Sequence, residues 1–230
     1  MGITHLSGLQ VAGVPTMGVG TLPLGSNYIF VNSVTGSDGN TGSYDNPLAT
    51  VSGALARCVA NSGWIVVCQA GHAETISSAT TLLLNVAGVQ IIGLGTGSTR
   101  PTFTFTTANT AKIPVSAGSI KIQNCIFVGN FLSIATCFLL TTAPNFWVDS
   151  CTFRDTSATL GFLSIITTTV SVNCDGLAFT NNVVQSDATT TPGPTIVVAN
   201  TLDRLYIMDN KITHSTVSNN TSALLEHGAL

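Results

Sequence analysis

Ten carboxylates and seven basic side chains are scattered over 230 residues, and few stand at spacings that chemistry requires. Hydrolysis of a glycan needs two carboxylates on one face, one as acid and one as base or nucleophile. Elimination instead needs a basic side chain, commonly beside acidic residues that hold a cation. The best candidate cluster is Asp155 with Asp187. Arg154, Gln185, Lys211 and His214 recur near them in the repeat described below. Stacking of that repeat would bring Asp155, Asp187 and His214 into one patch. The bland alternative is a solvated edge with an ion pair between neighbouring turns. Asp155 and Asp187 are also offset by one position.

Other candidates read more simply. Asp38 and Asp45 lie in a Gly/Asn-rich loop, where Asp forms turns by bonding its own backbone. His72 and Glu74, in "AGHAETI", lack the further ligands a metal site needs, and read as turn and capping residues. "GLGTG" at 93–97 lacks the Lys-Ser/Thr and the helix of a phosphate loop. Trp147 falls on an outward position, where it could stack on a sugar; Trp64 reads as packing. No catalytic constellation emerges, and no metal or cofactor is expected.

The composition narrows the field. Hydrophobic residues make up 44 % and charged residues 7 %, the latter far below the roughly 25 % usual in soluble domains. A net charge of −3 without a basic stripe argues against nucleic-acid binding. No apolar run reaches the roughly 18 residues of a membrane span. The opening "MGITHLSGLQ" lacks the basic and apolar regions of a signal peptide. The six cysteines form no Cys-x-x-Cys pair and read as small buried hydrophobes.

One eleven-residue phrase is written four times: "IKIQNCIFVGN" from Ile120, "FWVDSCTFRDT" from Phe146, "LAFTNNVVQSD" from Leu177 and "LYIMDNKITHS" from Leu205. The starts are 26, 31 and 28 residues apart, and "VQIIGLGTGST" from Val89 is a degenerate earlier copy. Apolar residues alternate with period two, so each phrase is two short strands. The polar pair between them is a bend, because Asn and Asp tolerate left-handed backbone. Further strand-like pieces follow: "TFTFTT" (102–107), "CFLLTT" (137–142), "FLSIITT" (162–168) and "TIVVAN" (195–200). Three strands per period, each unit unable to bury its inner face alone, predict a stacked parallel β-helix of about five rungs. In that stack Asn182 and Asn210 share a column with Cys125 and Cys151, and Phe127 and Phe153 form another. An antiparallel sandwich also produces short strands at regular spacing.

Residues 28–72 have a different character. A strand, "YIFVNS", leads into a Gly/Asn/Asp loop. Leu48, Val51, Leu55 and Val59 then recur at helical spacing behind Thr50 as N-cap. A β-helix needs such a cap over its open end. The loop Gly36-Ser37-Asp38-Gly39-Asn40-Thr41-Gly42, the helix start Pro47-Leu48-Ala49-Thr50 and the turn Ala70-Gly71 resemble the opening of pectate-lyase-like right-handed parallel β-helix proteins. The resemblance runs over roughly residues 28–215. It implies an all-β fold with an N-terminal amphipathic cap helix. That family includes lyases, hydrolases and viral structural proteins, so fold alone does not choose among them.

Residues 1–27 are Gly-rich, apolar and chargeless. They resemble the N-terminal segments of tailed-bacteriophage virion proteins. The resemblance implies an anchoring arm (1–27) ahead of the cap (28–72) and the rungs with their closure (73–230), where Leu224 and Leu225 could cover the last rung. It makes Met1, Gly2, Ile3, Leu6, Val11, Val14 and Pro15 contacts to other virion proteins, the major capsid protein first. The expectation is a non-enzymatic capsid decoration protein or short head fibre, made in the host cytoplasm and carried on the virion, as a homo-oligomer with a trimer favoured. The alternative is a tailspike-like protein that binds or cleaves host polysaccharide, with Asp155, Asp187 and Trp147 as its residues.

Overall fold

The computed structural model describes residues 10–11, 14–15, 27–186, 195–199, 202–214 and 225–227. Over these residues the chain is a parallel β-helix with three faces. The seven-strand sheet comprises Asn27–Val31, Trp64–Cys68, Gln90–Gly93, Lys121–Gln123, Trp147–Asp149, Leu177–Thr180 and Leu205–Met208. The six-strand sheet runs from Ala73–Ile76 through Thr102–Phe105, Ile126–Gly129, Thr152–Asp155 and Val183–Ser186 to Lys211–His214. The five-strand sheet comprises Ile113–Val115, Phe138–Leu140, Ile166–Thr168, Ile196–Val198 and Leu225–His227. Every pairing within these sheets is parallel.

The bend in each phrase has a physical cause that the sequence carries. Asn124, Ser150, Asn181 and Asp209 all hold φ between 54° and 58°, the left-handed region that, after Gly, Asn and Asp visit most readily. One such residue turns the chain from the seven-strand sheet into the six-strand sheet. The next residue points inward. Asn182 accepts the Cys151 N–H through Oδ1 (2.9 Å) and donates to Val148 O (3.0 Å) and Asn210 Oδ1 (3.1 Å). Asn210 Oδ1 also accepts the Asn182 N–H (2.9 Å), and its amide donates to Phe179 O (2.7 Å). The ladder satisfies buried amides that the sheets leave unpaired. Beside it, Phe103, Phe127 and Phe153 stack with centroids 5.4 and 5.1 Å apart, and Phe179 continues the contact at 5.8 Å.

Three expectations change. "TFTFTT" does not belong with "CFLLTT": Thr102–Phe105 pairs with Ile126–Gly129, so it is the second half of the early phrase. A loop over 94–101, with a short 3-10 turn at Gly97–Thr99, separates it from the first half. The cap helix is only Val51–Leu55; Val59 lies beyond it and is exposed. Leu225 is no lid, since it enters a strand paired with Ile196 and remains exposed. Leu224 lies outside the described residues.

The cap is otherwise as its residues dictate. Thr50 Oγ1 accepts the Gly53 N–H (2.9 Å), and Leu48, Val51 and Leu55 are buried against the first strands. Gly36 is obligatory there: a Cβ would sit 2.2 Å from Leu48 O. Near the N-terminus, Gln10–Val11 pairs antiparallel with Val14–Pro15. Met1, Gly2, Ile3 and Leu6 lie outside the described residues. No helix among the described residues is long and apolar enough to cross a membrane.

Candidate functional site

Asp155 ends the strand Thr152–Asp155, and its carboxylate is committed to the fold. Oδ1 accepts the Phe162 N–H (3.0 Å), closing the turn over 156–161, and Oδ2 accepts the Ser186 hydroxyl (2.8 Å). Gly161 packs so close that a Cβ there would meet the carboxylate at 2.2 Å. Arg154 pairs with Gln185, and Ser186 pairs in turn with His214. The rung neighbour of Asp155 is therefore Ser186 rather than a second carboxylate. Asp187 falls outside the described residues. The cavity beside Asp155, between Phe153, Phe162, Ser164 and Ser186, measures about 20 Å³. That is room for about one water, not for a sugar.

The other acidic candidates are likewise tied to backbone. Asp38 accepts the N–H groups of Ala49 and Thr50 (both 3.0 Å) and the Thr50 hydroxyl (2.8 Å), and so fixes the helix entry. Glu74 Oε1 accepts the Val51 N–H (2.6 Å) and lies 2.8 Å from His72 Nε2. His72 Nδ1 accepts the Ser33 N–H (3.0 Å), which leaves Nε2 as the protonated nitrogen that donates to Glu74. An open groove of about 310 Å³ runs past Glu74, lined by Ser33, Thr50, Ser52, Thr75 and Thr81. It offers one carboxylate, where glycoside hydrolysis uses two. Among the described residues, no three His, Cys, Asp or Glu side chains gather as a metal site.

Cys68, Cys125 and Cys137 lack the character of nucleophiles. Burial pushes the Cys68 and Cys137 thiols well up, and a thiol–thiol hydrogen bond to Cys151, then burial, does the same for Cys125. Reactive cysteines need the opposite shift.

The outer face of the seven-strand sheet is different. Trp147 points outward and is 39 % exposed. Its indole N–H donates to Thr180 Oγ1 (2.8 Å), which donates to Asp149 Oδ1 (2.9 Å). Asn181 Nδ2 donates to the same oxygen (2.9 Å). Lys121 Nζ lies 3.5 Å from Asp149 Oδ2 and 3.8 Å from the centre of the Trp147 ring. Asp149 is thus a buried carboxylate (6 % exposed) paired with a cation and two neutral donors. The register places Lys121, Trp147, Ala178 and Tyr206 in one outward column, and Gln123, Asp149, Thr180 and Met208 in the next. Trp64, by contrast, packs half-buried against the core.

Sequence reasoning found Trp147 but missed Lys121, Asp149, Thr180 and Tyr206. The signal was present: these residues fill the second and fourth positions of the repeated phrase, between the apolar ones that revealed the strands.

No protein-family model matches the sequence, and no curated protein matches it. Among solved structures, the fold is similar to a rhamnogalacturonan lyase, with a TM-score of 0.53 and 16 % identity over 80 % of this chain and 56 % of that one. It is also similar to pectate lyase Pel9A, with a TM-score of 0.50 and 11 % identity over 86 % of this chain and 58 % of that one. At these identities the likeness is one of fold. The chain spans little more than half the length of either protein.

Proposed function

We propose that the chain is a structural protein of a tailed-bacteriophage virion, a capsid decoration protein or short head fibre. One observation carries the choice of a structural over a catalytic role. The best-placed carboxylates, Asp38, Glu74, Asp149 and Asp155, each hold backbone or neighbouring side chains in place. Groups spent in this way are poor proton carriers, because each proton transfer would break the turn or rung contact they maintain. The virion setting rests on the resemblance of residues 1–27. In this reading Met1, Gly2, Ile3, Leu6, Val11, Val14 and Pro15 lie against the major capsid protein, and the β-helix projects or packs as a trimer.

Cryo-electron microscopy of purified particles tests it. Many symmetric copies on the shell, with residues 1–27 at the contact, are expected. Absence of the chain from particles overturns the reading.

The fold of two polysaccharide-lyase neighbours and the exposed Trp147 favour a second reading, a tailspike-like protein that engages host-surface polysaccharide. Cleavage would then depend on Asp155, with Asp187 as its partner. Loss of glycan cleavage in Asp155→Asn and Asp187→Asn, with melting temperature unchanged, would support it. Equal cleavage by both variants and the parent would exclude these two as catalytic.

A further inference from the structure

Outward strand positions elsewhere carry Thr102, Thr104, Thr152 and Thr167, or apolar residues that are buried or half-buried, such as Ile126, Val128, Leu139 and Val197. Around Trp147, large side chains stand exposed instead. Trp147, Tyr206 and Met208 are 39 %, 45 % and 53 % exposed and lie on one sheet, on strands separated by Leu177–Thr180. Among the described residues, the other large exposed apolar residues are Val34, Val59, Leu83, Leu132, Val170 and Leu225, and all but Leu225 lie outside the sheet strands. Toward the cap the same sheet face is closed, because Phe30, Ile65 and Val67 are covered by Tyr28, Tyr44, Ile92 and Leu94. The open part therefore begins at Lys121 and ends at Met208.

We infer that this face is a binding site for a neutral sugar chain, with Trp147 and Tyr206 as its stacking platforms. Three arguments converge. The first is preorganisation. The Trp147 ring is held by its hydrogen bond to Thr180 and by the Lys121 ammonium on one ring face. Asp149 fixes that ammonium, and Thr180 and Asn181 fix Asp149. A platform already locked in place loses little freedom when something binds it.

The second is chemistry. The apolar C–H face of a sugar ring stacks on an aromatic ring, and its hydroxyls need donors and acceptors at the rim. Here the Trp147 ring stands beside the Lys121–Asp149 pair, with Gln123 on the adjoining strand and Tyr206 two strands further along the same column. That pair carries no net charge, so nothing on the face selects for an anionic sugar.

The third is size. Four strands at about 4.8 Å, crossed by two outward columns, make an open area of roughly 200 Å². A stable protein interface buries about 800 Å² per partner. The patch is about a quarter of that area, and it matches a few sugar rings. This site does not depend on where the protein is carried, and it requires no bond cleavage.

The test uses the full chain. Trp147 is one of two tryptophans, and Trp64 is half-buried against the core, so ligand-dependent emission reports this face. Maltoheptaose, cellohexaose and mannohexaose are titrated as neutral probes, with hexagalacturonate as the acidic one. Saturable change with at least one neutral probe is expected. Tyr206→Ala should weaken it severalfold. Trp147→Ala, read by calorimetry, should weaken it at least tenfold, and Trp147→Tyr should restore part of the loss. Circular dichroism and melting confirm that each variant is folded.

Binding of none of the neutral probes overturns the inference. So does binding of hexagalacturonate alone, which would make the site anionic in preference. Neutral binding that survives unchanged in both Trp147→Ala and Tyr206→Ala places glycan recognition elsewhere and overturns this face specifically.

Discussion

Asn182 shows how much a single inward side chain holds. Its amide joins three successive rungs, through Cys151, Val148 and Asn210. Asn182→Ala leaves the Cys151 N–H and the Val148 carbonyl without those partners. Each orphaned buried group costs about 1–3 kcal/mol. We expect Asn182→Ala to lose about 3 kcal/mol, read as a lower urea midpoint, whereas Asn182→Asp should keep the acceptor and lose the donor. A change below about 0.5 kcal/mol, the usual range for surface positions, would mean that water replaces the amide. Asp155 makes the complementary case. Its two oxygens close a turn and tie Ser186, so Asp155→Ala should destabilise by about 2 kcal/mol by the same reasoning about orphaned donors. If melting is unchanged, the carboxylate is free for some other task.

The strands depend on columns that no single rung can form. Phe153 is fully buried, with centroids 5.1 Å from Phe127, 6.2 Å from Phe138 and 5.8 Å from Phe179. Phe153→Ala opens a cavity in the middle of the stack and should cost about 3–5 kcal/mol; Phe153→Leu should recover most of it. Equilibrium denaturation followed by circular dichroism measures both. At the cap, Gly36→Ala forces a Cβ into Leu48 O and should loosen the loop over 36–47 without unfolding the later rungs, a difference that hydrogen exchange resolves.

These columns were legible in the sequence because period-two alternation and a polar pair at each bend are properties of consecutive residues. Asn124, Ser150, Asn181 and Asp209 announce the left-handed corners, and Asn182 and Asn210 announce the ladder. The displaced Thr102–Phe105 was not legible, since nothing local says that the loop over 94–101 interrupts a phrase. The short cap helix was misjudged for a similar reason: Val59 fits helical spacing, but the buried face is complete at Leu55. The site was half legible. Trp147 stands out by type. Lys121, Asp149 and Thr180 become its neighbours only when register sets three rungs side by side, and that register is a property of the stack.

The molecule as a whole buries thiols among its apolar columns, and this gives it a specific response to alkali. Cys68, Cys125 and Cys137 are held well above the ordinary thiol value of 9.0, and burial takes Cys58 up to about 11. In the unfolded chain these thiols ionise near 9. In the folded chain they stay protonated. A raised folded value means that the folded state binds its protons more tightly, so stability is fully present below pH 9 and declines as pH rises above it. Each fully buried thiol contributes a slope of about 1.4 kcal/mol per pH unit. Cys58 is only half buried, and solvent weakens its share.

Melting temperature in reducing buffer should therefore be level from pH 7 to about 8.5 and fall steeply toward pH 10.5. Cys137→Ala should shallow that fall while lowering the plateau through lost packing. Such a split separates thiol ionisation from general alkaline damage, which would lower both proteins in parallel. The fully buried thiols Cys68, Cys125 and Cys137 should also resist a disulfide reagent at pH 8 and react only on unfolding. A flat profile to pH 10.5 in the parent chain would mean that solvent reaches the thiols, and that the interior columns open far more readily than their packing implies.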